Sequence, residues 1–223
     1  STTLRAALFG RDRPWVWGAS GILGLTMKPP LVYVIIINWN GRDHLDACFE
    51  SLLATTWENA VFLLVDNAST DDSAAFVASC FGQDSRVEIL ALDRNLGWSG
   101  GNNAGIRRAL DAGADYIFLL NNDTATEAFG IEHMVSVMEA DETLGALAPR
   151  MVLFDHPEII NSTGLRMSVI GAAWDIGIGR FDGPQWHEAQ LVLGVCGGAC
   201  FIRASVLRTT GLLPEEFEIY GRP

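Results

Sequence analysis

The sequence is short of positive charge, with 15 Lys and Arg against 27 Asp and Glu and a net charge of −12. A chain so acidic lacks the basic surface needed to neutralise nucleic-acid phosphates, which excludes broad electrostatic binding to DNA or RNA. It does not exclude a small phosphate-bearing molecule, which backbone N–H groups and a metal ion can hold. Cysteine is scarce: Cys48, Cys80, Cys196 and Cys200 form no CxxC pair and have no His cluster beside them. Neither a disulfide framework nor a thiolate metal site is expected, and reduced thiols in a cytoplasmic protein fit better. No apolar run approaches the length that spans a bilayer. The stretch "WVWGASGILGLTM" (15–27) follows three arginines like a leader, but Lys28-Pro29-Pro30 offers no small-residue cleavage site. Residues 1–30 are therefore expected to be a poorly ordered N-terminal extension, with Met27 as a natural start, and residues 31–223 to be the folded domain.

What is present is apolar and regular. Hydrophobic residues make up 49% of the chain, enough for a sizeable α/β core. "LVYVIII" (31–37), "AVFLLVD" (60–66), "VEILAL" (87–92) and "YIFLL" (116–120) read as strands. Between them, 43–54, 73–81, 103–112 and 127–140 place apolar residues at helical spacing, with Asp43 as an N-cap for the first. Unbroken apolar strands imply a sheet covered on both faces. Strand–helix alternation with right-handed crossovers implies a doubly wound, Rossmann-like, mostly parallel sheet. After Pro149 the rhythm is lost, and irregular strands and loops are expected until a Gly-rich turn, a short strand and a helix from about Ala204.

In such sheets a ligand sits beyond the carboxyl ends of the strands. Four polar clusters follow strands and should share that edge: Asn38-Trp39-Asn40, Asp66-Asn67-Ala68-Ser69, Asp93–Asn103 and Asn121–Thr124. Asp123 either coordinates Mg²⁺ or Mn²⁺, hard ions that take oxygen ligands, or caps the next helix with Thr124. Asp66 either accepts hydrogen bonds from a ribose or base, or closes an Asx turn. "GWSGGNNAG" (97–105) permits close backbone approach, as a flexible loop leading into a helix. Its fit to GxGxxG is loose and it follows the third strand, which disfavours a dinucleotide-binding domain. Trp98 is the aromatic best placed to stack on a ligand. His187 is the one imidazole with a route toward a metal from the second half.

Taken in order, "VIIINWNGRDHLDACFESLL", "LLVDNASTDDS", "NLGWSGGNNAGI", "IFLLNNDT", "GGACFIR" and "GLLPEEFEIYG" resemble the GT-A glycosyltransferases of family 2, over residues 31–221. Within them the pattern is similar to bacterial rhamnosyltransferase-like members of polysaccharide biosynthesis. The resemblance implies an inverting, metal-assisted transfer from a nucleotide diphosphate sugar, with a dTDP- or UDP-sugar as donor. It implies a glycan or lipid-linked acceptor, and peripheral contact at the inner face of the membrane. Asn38, Asn40 and Asp66 would contact the nucleoside, and Asn95, Gly97, Asn102 and Asn103 would border the nucleotide. Asn121 and Asn122 would flank Asp123, which would bind the divalent cation at the family's D-x-D position. Gly197 and Gly198 would lie on the sugar and acceptor side.

The sequence departs from the family after Tyr220-Gly221. An acidic pair is expected there, one member acting as general base, and Arg222-Pro223 stands in its place. On that reading the chain as written is truncated and has little transfer activity, the alternative being a non-catalytic nucleotide-sugar-binding module. A nucleotidyltransferase is disfavoured, because "NWNGRDH" after the first strand is not a Gly-rich basic phosphate loop.

Overall fold

The computed structural model describes residues 28–216 and, as backbone, the strand Leu4–Ala6. In chain order the elements are β1 (Leu4–Ala6), β2 (Val32–Asn38), α1 (Arg42–Leu53), β3 (Ala60–Asp66), α2 (Ser73–Cys80), β4 (Val87–Ala91), α3 (Gly97–Asp111), β5 (Tyr116–Asn121) and β6 (Thr124–Thr126). There follow α4 (Gly130–Ala140), β7 (Ala146–Leu147), β8 (Met151–Leu153), β9 (Ile160–Ser162), β10 (Leu165–Met167), β11 (Ala173–Asp175), β12 (Ala199–Arg203) and α5 (Ala204–Thr210).

The four apolar runs become β2, β3, β4 and β5, all parallel, in a six-stranded sheet ordered β4-β3-β2-β5-β12-β7. The last two strands run antiparallel to their neighbours. Each apolar run serves two cores, because alternate side chains leave a strand on opposite faces. Val34, Ile36, Phe62, Leu64 and Phe118 meet Leu45 and Phe49 of α1 and Met134 and Val135 of α4 on one face. Ile35, Leu63, Val65, Ile117 and Leu119 meet Ile106 and Ala109 of α3 and Leu207 of α5 on the other. This is the doubly wound, mostly parallel α/β sheet that the alternation implies.

Several boundaries differ from the sequence expectation. Helix α1 starts at Arg42 after Gly41, with no side-chain cap, so Asp43 is not the N-cap. Helix α3 starts at Gly97, not Asn103: the expected glycine loop is two turns of helix. Gly101 and Gly105 are needed because α3 lies flush on the sheet. A Cβ at Gly105 would stand 2.6 Å from Ile35 Cγ2 and 3.0 Å from Val65 Cγ2. Helix α4 starts at Gly130 rather than Glu127, because 124–126 pair in parallel with β1. That pairing also removes the helix-cap reading of Asp123 and Thr124. β1 lies between β6 and β8 in a sheet ordered β6-β1-β8-β9. The remainder of the expectation for the N-terminal extension falls outside the described residues. The stretch 150–195 forms short strands and loops, including the hairpin β10–β11.

Asp71 fastens two helix starts at once. Its Oδ2 accepts from Arg42 N (3.0 Å), and its Oδ1 accepts from Ser73 N (3.2 Å) and from the Ser73 hydroxyl. Burial acts to raise this carboxyl, but the hydrogen bonds from Ser73 and Arg42 outweigh it and hold the pKa below the usual carboxylate range. A depressed carboxylate pKa contributes stability above the unfolded value, about 3.9, and loses it as pH falls through the folded value. Asp71→Ala should therefore cost about 1–2 kcal/mol in urea unfolding at pH 7. The gap from the parent chain should narrow below about pH 4. An unchanged gap across that range would assign the loss to something other than the ionised carboxylate.

Candidate functional site

Because β2 to β5 are parallel, their carboxyl ends share one edge, and the polar clusters meet there through hydrogen bonds. Asn38, the last residue of β2, is 1% exposed and links three strand ends. Its Nδ2 donates to Asp66 Oδ1 (3.3 Å) and Ser69 Oγ (3.1 Å) beyond β3, and its Oδ1 accepts from Asn122 Nδ2 (2.6 Å) beyond β5. Gly41 gives this junction room: a Cβ there would stand 1.9 Å from Asn122 Nδ2. Asp66 is buried and its Oδ2 also accepts from Ser69 N (3.3 Å). Asn40 takes the left-handed conformation, φ 52°, which asparagine tolerates. Its amide donates to Ser69 Oγ (3.0 Å) and its Oδ1 accepts from Thr70 N (2.7 Å).

The α3 side is tied to the same edge by Asn67. Its Nδ2 donates to Asn95 Oδ1 (2.9 Å) and Gly97 O (3.1 Å), and its Oδ1 accepts from Leu96 N (2.8 Å). Asn67 and Ser69 were legible only as members of a polar cluster; nothing in their spacing announced that they are the cross-links. Asn102 is 1% exposed, donates to Trp98 O (2.9 Å), and keeps Oδ1 out of solvent with no partner. Asn103 is spent differently. Both hydrogen bonds from its Nδ2 go to Leu213 O and Glu215 Oε1, each 2.8 Å, and its Oδ1 accepts from Leu213 N. It latches the 213–215 segment to α3.

Asp123 stands in the turn between β5 and β6, beside α1. Its Oδ1 is buried without a hydrogen-bond partner. Burial pushes its pKa above the ordinary aspartate value, only partly offset by the nearby His44. Burial first, and the charge of Asp123 second, push the neighbouring Cys48 thiol up to about 12. Asn121 N donates to Gly198 O (3.0 Å), which brings the Gly197-Gly198 turn to the end of β5. A Cβ at Gly197 would lie 3.2 Å from Trp98 Cζ2, so the Trp98 ring is packed against this turn. Asn38, Asn40, Asp66, Asn95, Gly97, Asn121 and Asn122 are thus joined at one rim with Asp123 and the two glycines, whereas Asn102 lies further along α3 and Asn103 is turned to the 213–215 segment. His187 is turned elsewhere, toward Asp182 Oδ1 at 3.4 Å. All four cysteines are free thiols. The position after Gly221, where a general base is expected, lies outside the described residues.

The donor set suits a hard divalent ion. One buried carboxylate oxygen lacks a partner, and asparagine amides stand beside it in sequence. No three His, Cys, Asp or Glu residues cluster as a metal cage among the described residues. Mg²⁺-type sites take one or two protein carboxylates together with substrate phosphates.

The chain is 27% identical over 165 residues to the succinoglycan biosynthesis protein ExoO of Rhizobium meliloti, covering 74% of this chain and 44% of that protein. It is 25% identical over 191 residues to an Escherichia coli protein, the UDP-Glc:alpha-D-GlcNAc-diphosphoundecaprenol beta-1,3-glucosyltransferase WfgD, covering 86% of this chain and 65% of that one. Its fold is similar to the mannosyltransferase PcManGT of Pyrobaculum calidifontis, solved with GDP-Man and Mn²⁺. The TM-score is 0.59 at 14% identity, over 84% of this chain and 48% of that one. The chain spans less than half the length of the first curated relatives it matches. The family model for glycosyl transferase family 2 matches residues 33–211, so the chain belongs to that family.

Proposed function

We propose that this chain holds the donor side of an inverting glycosyltransferase, binding a nucleoside diphosphate sugar whose sugar passes to an acceptor hydroxyl. The observation that carries the reading is the hydrogen-bonded chain Asn122–Asn38–Asp66–Ser69–Asn40 across three strand ends, with an unpartnered Asp123 oxygen beside it. Asp66, Asn38 and Asn40 are held rigid to face the nucleoside. Asn95, Gly97 and Asn102 border the nucleotide at the start of α3. Asn103 acts at one remove, as the latch that fixes α3 against the 213–215 segment.

The diphosphate is the difficult part of such a ligand for a chain of net charge −12. Its charge must be neutralised locally, because the field of the whole protein opposes it. Asp123, with Asn121 and Asn122, would hold Mg²⁺ or Mn²⁺ there. When bound, that ion neutralises the leaving diphosphate. Gly197 and Gly198, packed against Trp98 and Met151, would carry the sugar side of the site beside Asn121. Uridine or thymidine as the base and a glycan or lipid-linked acceptor complete the proposal, supported by the resemblance of the motifs and by the acceptor named for WfgD.

Calorimetry with UDP and dTDP, each with and without Mn²⁺, tests the reading. Saturable binding that strengthens with the metal is expected for at least one of them. Heats indistinguishable from dilution for both nucleotides would remove it.

A further inference from the structure

A cavity of about 490 Å³ opens in the second half of the chain, away from the strand-end network. Its volume falls in the roughly 300–1,000 Å³ range of small-molecule sites. Three aromatic rings line it, Trp174, Phe181 and Trp186, together with Asp175, Arg180 and Gln185. We infer that this cavity binds a hexopyranose ring, the terminal sugar of an acceptor glycan.

The lining has the two components a pyranose requires. Apolar C–H faces of the sugar pack on aromatic rings. Its hydroxyls need both acceptors and donors, which a carboxylate, a guanidinium and an amide supply together. Trp186 is fixed in place for such packing. Its Nε1 donates to Phe181 O at 3.1 Å, and a Cβ at Gly177 would stand 3.3 Å from the ring atoms Cη2 and Cζ3. Gly177 sits at φ 79°, where other residues are strained, so the close approach of backbone to indole is built in. Trp174 and Phe181 remain 46% and 74% exposed. Asp175 stands in the wall with its carboxylate accepting a hydrogen bond from the Cys196 thiol, which orients it.

One lining residue, Asp175, also neighbours Cys196. Burial raises the Cys196 thiol, and the nearby charge of Asp175 adds to the effect. Cys196 Sγ lies 3.8 Å from where a Gly198 Cβ would stand, and Asn121 Nδ2 lies 3.7 Å from the same point. Asp175 is thus linked through Cys196 to the Gly198 turn beside Asn121. The word acceptor rests on the proposed function; pyranose binding does not.

The chain has seven tryptophans, so 5-fluorotryptophan labelling gives a spectrum that single substitutions can assign. The probes are the methyl glycosides of glucose, galactose, rhamnose and N-acetylglucosamine, with cyclohexanol as the apolar control. At least one glycoside is expected to shift the Trp174 and Trp186 resonances saturably, in the millimolar range typical of weak small ligands, roughly 1–50 mM. The Trp57 resonance, from the core, should stay fixed. Trp186→Ala should abolish the shift at Trp174, and Asp175→Asn should weaken binding roughly tenfold. No saturable shift with any glycoside up to about 100 mM, or an equal shift with cyclohexanol, overturns the assignment. Sugar binding without nucleotide binding would keep the cavity as a glycan site and discard the glycosyltransfer reading.

Discussion

Asp123→Asn should lower Mn²⁺-dependent nucleotide affinity by about tenfold or more, while leaving resistance to urea equal to that of the parent chain or higher. The two halves of this expectation share a cause. A carboxylate oxygen kept from water and given no donor is a cost to the folded state, visible in the raised pKa of Asp123. Asparagine keeps the shape of the side chain and removes the charge, so that cost falls. The same change takes away the anionic ligand for the divalent ion. A single charged interaction lost at a polar site is worth about 1.5–3 kcal/mol, which is tenfold or more in affinity. Sites held against stability in this manner are where function resides. Nucleotide calorimetry in Mn²⁺ and a urea titration on the same protein would check it. A variant that bound UDP as before would show Asp123 to be a turn residue. One that both bound and folded poorly would show the site to be a structural element whose disruption is merely general.

Gly105→Val should be the most destabilising of the substitutions considered, costing about 3 kcal/mol, at the upper end for overpacked cores. In a domain of this size that is about 6–12 °C in Tm. Helix propensity alone argues the reverse, since replacing a mid-helix glycine by most residues gains a few tenths of a kcal/mol or more. Packing outweighs it here. The first added carbon would stand 2.6 Å from Ile35 Cγ2 and 3.0 Å from Val65 Cγ2. Both neighbours are fully buried β-branched residues of the central strands, stiff at χ1 and unable to swing aside. Gly105→Ala should show the same sign with a smaller loss, about 1–2 kcal/mol. Thermal unfolding of the pair would decide the matter: a gain in Tm for the alanine variant would mean that α3 has slack against the sheet.

The glycines of α3 show where reading residues in a row reaches its limit. "GWSGGNNAG" states that backbone approaches something closely. It does not state whether that something is a ligand or a sheet. The coordinates answer it: Gly105 meets β2 and β3, and Gly101 meets Ile37 Cδ1 at 2.2 Å from its missing Cβ. Asn103 is similar. An amide at a helix start suits a nucleotide as well as it suits a carbonyl of the same chain, and Leu213 is 110 residues away. No local pattern reports a partner at that separation. Thr124 likewise admits a helix-cap reading, because its strand pairing is made with β1, far off in sequence.

By itself the sequence determined the parallel core. Unbroken β-branched runs separated by helical periods have few ways to bury both faces, and a doubly wound sheet is the usual one. Parallel direction then forces the polar residues after each strand to a common edge, so the position of the rim followed from the order of the motifs. Only the tertiary structure decided which amides cross-link that rim and which glycines serve packing. It alone brought Trp174, Phe181 and Trp186 around a single cavity. Those outcomes depend on contacts between residues distant in the chain, and such contacts leave no periodicity behind.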